Sequence, residues 1–221
     1  MTVVVDWAKS VGQSVGDTVR ALPRSLPPGT VPYVARSMRE LRKVRTPRQA
    51  VAVFETETER LLNVIMPRIV ERPLPVRSTA SAKALVAATG GVAAAGQEVE
   101  ELSVLLSGGA ALPPALPLML ATNLLALTME VSVAASLRVH DLEDAGITPD
   151  PNKVARDVMV AMTGGSETDV GSGSSISKSL VKKIVARVLS RWSKSLVPFV
   201  GIAYSSWDAQ RTIDAIRSLP T

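Results

Sequence analysis

The chain holds one histidine, His140, followed by Asp141, Glu143 and Asp144, with Glu130 earlier on the same apolar stretch. A histidine beside carboxylates is the arrangement that general acid–base chemistry uses. The signal is not specific, because His140 stands where an apolar helix should meet a polar turn. The helix dipole alone favours a histidine there. No Walker A sequence, GxGxxG, GxSxG or HExxH occurs in the chain. Cysteine is absent, which excludes disulfides and a structural zinc site of the Cys/His type. The residues therefore read as non-enzymatic, with no catalytic group, metal or cofactor expected.

A second set of residues has the chemistry to hold anions. Ile176, Leu180, Ile184, Val188 and Trp192 form an i+4 apolar row from Ser175 to Leu196. Lys183, Arg187, Arg191 and Lys194 fall on another face, joined by Lys182, and no acid interrupts them. Basic amphipathic helices of this kind lie on membrane surfaces or dock partner proteins. Upstream, Arg36, Arg39 and Lys43 are spaced to share a face of a short helix over 31–44. These eight residues are the candidate lipid- or anion-binding set.

The charge pattern points the same way. The net charge of +5 is divided into three parts. Residues 1–80 hold 13 basic and 7 acidic side chains, residues 81–170 hold 4 and 11, and residues 171–221 hold 8 and 2. Basic flanks around an apolar, acid-bearing middle suit an anionic membrane surface. Nucleic acid is the competing partner of basic flanks, and the apolar content, with mean hydropathy +0.22, argues against it. Attraction between basic and acidic segments within one fold is the plainer alternative.

The elements that must position these groups start from an uncharged run of 28 residues, Leu102 to Met129. Pro113, Pro114 and Pro117 should break it, leaving Leu118 to Leu137 as the usable helix. That length would span a bilayer. Glu130 within it favours a buried or hairpin helix, since a carboxylate at mid-bilayer is costly. Asn123 lies two helical turns before Glu130, so both share one face. Asn123, Glu130 and His140 are the expected polar residues of a ligand pocket, with Glu130 facing protein or a water-filled cavity.

Most other segments also read as helix. Val4, Trp7, Val11, Val15, Val19 and Leu22 have helical spacing, either docked on the core or forming an interfacial arm. Thr46-Pro47-Arg48-Gln49 is a helix start with a capping box, and Pro67 should kink or stop that helix near Met66. Arg72-Pro73-Leu74-Pro75 is a linker. Thr79 to Glu100 is rich in Ala and Gly, which permits close helix approach. Residues 164–175 form a Gly/Ser-rich loop, and the last helix runs from about Ser205 to Ser218. No period-2 alternation or hairpin signal is present.

Four stretches, taken in order, resemble the EcsC family of bacterial proteins, named from a locus encoding an ABC transporter. They are Ala84–Gly96; Gly108-Gly109 followed by Pro113 and the apolar helix to His140; Asp141–Gly165 with its Asp150-Pro151 turn; and Lys194–Asp214 with Val197-Pro198-Phe199-Val200-Gly201. Ala111-Leu112 stand where family members often have an acid, and Ser205, Ser206 and Asp208 replace a Gly-x-x-x-Asn start of the last helix. The resemblance implies a helical fold and a membrane link rather than a reaction.

The fold class expected is all-α, a multi-helix bundle with an apolar Ala/Gly- and Leu-rich hairpin at its centre. Residues 1–78 would form an N-terminal helical arm and subdomain, and 79–221 the EcsC-like core. The expected function is a non-enzymatic protein at the cytoplasmic face of the membrane, peripheral or partly inserted. It would bind anionic lipid or an apolar lipid-like ligand and associate with a membrane transporter, without nucleic acid. A soluble adaptor whose basic helix docks a partner protein is the alternative. No signal peptide or lipidation motif is read. Oligomeric state is left open. Changing Lys183, Arg187 and Arg191 to Gln should abolish vesicle binding and leave the helix intact.

Overall fold

The computed structural model describes residues 33, 36, 37, 39, 40, 44, 46–87, 112–164, 178–195 and 200–220. Among these the only regular elements are α-helices, as an all-α bundle requires. The helices are α1 (Pro47–Glu71), α2 (79–87), α3 (Leu112–Asp144), α4 (Pro151–Thr163), α5 (Lys178–Ser195) and α6 (Val200–Ser218). The expected helix over 2–22, Lys43, the Ala/Gly stretch beyond residue 87, Gly108-Gly109 and the 165–175 loop lie outside the described residues.

At the centre is α3. Every residue from 127 to 140 on it is buried, so no polar face is left for solvent. A helix that is apolar all round is stable only when covered on all sides, and α1, α4 and α6 pack against it. Its hydroxyls are bonded along the helix: Thr128, Ser132 and Ser136 donate to the carbonyls of Leu124, Thr128 and Ser132 at 2.6, 2.7 and 2.7 Å. They therefore sit in the core without an unmet donor. Among the described residues, no helix is long and apolar enough to cross a membrane.

Three helix boundaries differ from the sequence expectation, two of them at prolines. α3 begins at Leu112 and includes Pro113, Pro114 and Pro117. The first N–H groups of a helix have no intrahelical acceptor, so Pro113 and Pro114 in the first turn remove nothing, whereas Pro117 lies beyond that turn and costs one helical bond. α1 runs through Pro67 to Glu71 instead of ending near Met66. The extension keeps Ile69 fully buried beside Met66, and burial of such side chains, about 1.5–3 kcal/mol each, offsets the lost helical bond. α6 likewise begins earlier than expected, at Val200.

The caps agree with local chemistry. Thr46 Oγ1 accepts from the Gln49 N–H at 3.3 Å, and the Gln49 side chain accepts from the Thr46 N–H at 3.2 Å. Thr46→Ala should lower stability by about 1 kcal/mol, read as a shifted midpoint in urea unfolding; an unchanged midpoint would show that α1 is held by packing alone. Asp150 caps α4 through the Lys153 N–H at 2.9 Å. α3 ends in a Schellman turn, where Gly146 at φ 74° lets the Ile147 N–H reach the Leu142 carbonyl at 2.8 Å.

α1 does not stand apart from the later helices. It packs against α3, α4 and α5, and Phe54, Leu61, Leu62 and Ile65 share one core with α3 residues Leu124, Leu127 and Val131. The helical residues Tyr33 and Ser37 are docked on α1 through Glu57. Ser37 and Arg60 both bond its carboxylate, and Tyr33 donates to its backbone carbonyl at 2.5 Å. Burial, reinforced by the neighbouring carboxylate, holds the Tyr33 phenol protonated well above its ordinary range. The linker between α1 and α2 is pinned to α3: the Leu74 N–H donates to Ser136 Oγ at 2.9 Å, and the Leu74 carbonyl lies 2.9 Å from His140 Nε2.

Candidate functional site: an outer lysine face and a buried arginine junction

α5 carries the basic set, and its packing sorts that set into two kinds of residue. Leu180, Val181, Ile184, Val185 and Val188 are buried against α1, α4 and α6. Lys178, Lys182 and Lys183 lie on the opposite, exposed side. Arg36 and Arg39 are exposed as well. The side chains of Arg191 and Lys194 lie outside the described residues, although both positions are helical.

Arg187 is different and corrects the expectation of a uniform cationic face. Its side chain is only 17% exposed and points into the bundle. Nε donates to Asp208 Oδ2 at 2.8 Å. Nη2 donates to the Asp208 carbonyl at 2.7 Å and to Thr212 Oγ1 at 2.9 Å, and lies 3.3 Å from Glu130 Oε1. Nη1 donates to the Met162 carbonyl at 2.5 Å. The physical reason is that position 187 falls between the buried row and the lysine face, where a long guanidinium reaches inward to acidic partners. Its five N–H donors are fixed in a planar fork, and partners on α3, α4 and α6 take up that fork. An arginine so engaged is an internal cross-link and has no free edge for a lipid phosphate.

Glu130 completes this junction. It is 1% exposed, and Thr212 Oγ1 donates to its Oε1 at 2.6 Å. The glutamate in the apolar helix thus faces protein and has both a hydroxyl and a cation. Asn123 is also buried on α3.

His140 belongs elsewhere, and the structure does not bring it together with Glu130. A backbone carbonyl can only accept, so Nε2 donates to Leu74 O, while Nδ1 lies 3.2 Å from Glu143 Oε2. Asp141 pairs with Arg217, and Asp144 pairs with Arg77 at 3.2 Å. Each acid around His140 therefore has its own partner. The ring acts as a staple between linker and helix, and neither nitrogen is presented to a substrate. Among the described residues, no group of three His, Asp or Glu side chains is placed to hold a metal ion.

Sequence reasoning missed a second buried pair. Arg138 Nε donates to Asp157 Oδ2 at 2.6 Å, and Nη2 donates to the Pro220 carbonyl at 2.6 Å. Both side chains are at least 95% buried. The signal was present: an arginine inside a helix that is otherwise apolar must find an acid. Asp208 and Thr212 were missed for a plainer reason, since nothing local in α6 marks them as partners of Glu130 and Arg187.

The fold and site together define an all-α bundle with charged cross-links in its core and a lysine-rich outer helix. No protein-family model matches the chain, and neither curated proteins nor solved structures yield a match.

Proposed function

We propose that the chain is a non-enzymatic, membrane-associated helical protein of the EcsC type that binds anionic lipid through the exposed face of α5. The observation that supports this most is the sorting on that helix. Lys178, Lys182 and Lys183 are outside, while the apolar row is used against the core. A helix whose apolar face is already covered cannot lay that face into a bilayer or a partner's groove. Attraction by charge remains, with Arg36 and Arg39 as a second exposed pair. The same sorting weighs against the adaptor alternative in its helix-docking form. The resemblance to a family tied to a membrane transporter supports a location at the cytoplasmic face, peripheral to the bilayer.

Vesicle co-sedimentation tests this reading. The protein should bind vesicles containing phosphatidylserine, and raising salt should release it, because surface charges are screened over a Debye length of about 10 Å at 0.1 M. Each lysine near an anionic surface contributes about 1 kcal/mol, so K178Q/K182Q/K183Q should weaken binding by about two orders of magnitude. Equal binding to pure phosphatidylcholine, or binding that salt leaves unchanged, would overturn the proposal.

A further inference from the structure

α6 carries an exposed aromatic–cation pair. Trp207 is 52% exposed, and the Arg211 guanidinium carbon lies 5.0 Å from the centre of its ring. The two are one helical turn apart, on the side of α6 opposite buried Asp208, Ala209, Thr212 and Ile213. Among the described residues, the other exposed large apolar ones are Val51, Val64 and Ile147, single aliphatic side chains of the kind every surface has. An indole left half in water beside a cation is another matter. It combines a large apolar body with one N–H donor, and such side chains settle at the boundary between hydrocarbon and headgroup. A guanidinium matches phosphate oxygens with two parallel N–H groups and stacks on an aromatic face at the same time.

The charge around the pair favours an anionic partner. Asp214 on the same helix is engaged by Lys83 at 2.6 Å. Asp208 is turned inward to Arg187. Arg187 also joins α5 to α6 at Asp208 and Thr212. Lys183 is one turn before Arg187 on α5, and Arg211 adjoins Thr212 on α6, so basic residues flank the junction on both helices.

We infer that Trp207 and Arg211 are an interfacial anchor for an anionic phospholipid surface: Arg211 engages lipid phosphate and the Trp207 indole enters the headgroup layer. This rests on the membrane reading above and adds a short-range, apolar contact to the attraction supplied by α5. The chain has two other tryptophans, Trp7 and Trp192. In W7F/W192F, Trp207 is the sole indole reporter. On vesicles of phosphatidylcholine and phosphatidylserine at low salt, its emission should shift to the blue and be quenched by brominated acyl chains, and W207A should weaken partitioning about tenfold, the equivalent of ~1.4 kcal/mol. If W7F/W192F loses its helical circular dichroism, the difference in emission between the unaltered protein and W207F gives the same reading. Binding with unshifted, unquenched Trp207 emission would overturn the anchor and leave the electrostatic proposal standing. Absence of binding to anionic vesicles would overturn both.

Discussion

Arg187→Gln should lower the unfolding free energy by about 3–5 kcal/mol, the loss expected when one partner of a buried ion cluster is removed. Glutamine is shorter and neutral, so Glu130, 1% exposed, would keep Thr212 but lose its cation. Asp208 would lose the bond from Nε, and the Met162 carbonyl would lose the bond from Nη1. The measurement is the urea midpoint. K182Q, five residues away and exposed, should stay within about 0.5 kcal/mol of the unaltered chain. This contrast separates a basic residue that holds helices together from one that meets an outside anion. A glutamine scan of the whole basic helix would confuse the two, since vesicle binding would fall because the protein unfolds. An R187Q chain with the original midpoint would remove Arg187 from the core junction.

Arg138→Met should be comparably severe, about 3–5 kcal/mol. It leaves the Asp157 carboxylate buried without its cation and frees the Pro220 carbonyl. R138M/D157L should recover most of the loss and return to within about 1 kcal/mol. A well-packed apolar pair of similar volume often replaces a buried ion pair without cost. Here the pair is also imperfect, because Arg138 Nη1 is buried with no hydrogen-bond partner. Thermal or urea unfolding of the two variants decides it. A double variant as unstable as R138M would mean that the pair contributes more than mutual neutralisation.

The fold class was legible because helical periodicity is a local property. The Thr46–Gln49 capping box and the Leu180, Ile184 and Val188 part of the apolar row of α5 each depend on residues within about two turns of one another, and each is found where the spacing puts it. Prolines were misleading for an equally local reason. Their cost depends on position along a helix and on what the continued helix can bury, as Pro113 and Pro67 show. The candidate site was only half legible. The lysine face could be read from spacing. The inward turn of Arg187 could not, because its partners lie on α3, α4 and α6 and no rule of periodicity links residue 187 to residues 130, 162, 208 and 212. That Glu130 must face protein followed from desolvation cost alone; that Thr212 and Arg187 would meet it did not.

Glu130 and Arg138 of α3 have a bearing on how the chain is made. Arg187 and Thr212, which meet Glu130, lie on α5 and α6, and Thr212 is 82 residues further along. Arg138 finds Asp157 early, but its other acceptor, Pro220, is also 82 residues away. A ribosome delivers the chain from the N-terminus at about 5–20 residues per second. For several seconds α3 is therefore complete as a helix while Glu130 lacks Arg187 and Thr212 and the face that α6 will cover is bare. The most apolar of the described helices thus depends on one synthesised well after it, and in that interval it presents the exposed apolar surface that chaperones shield in nascent chains.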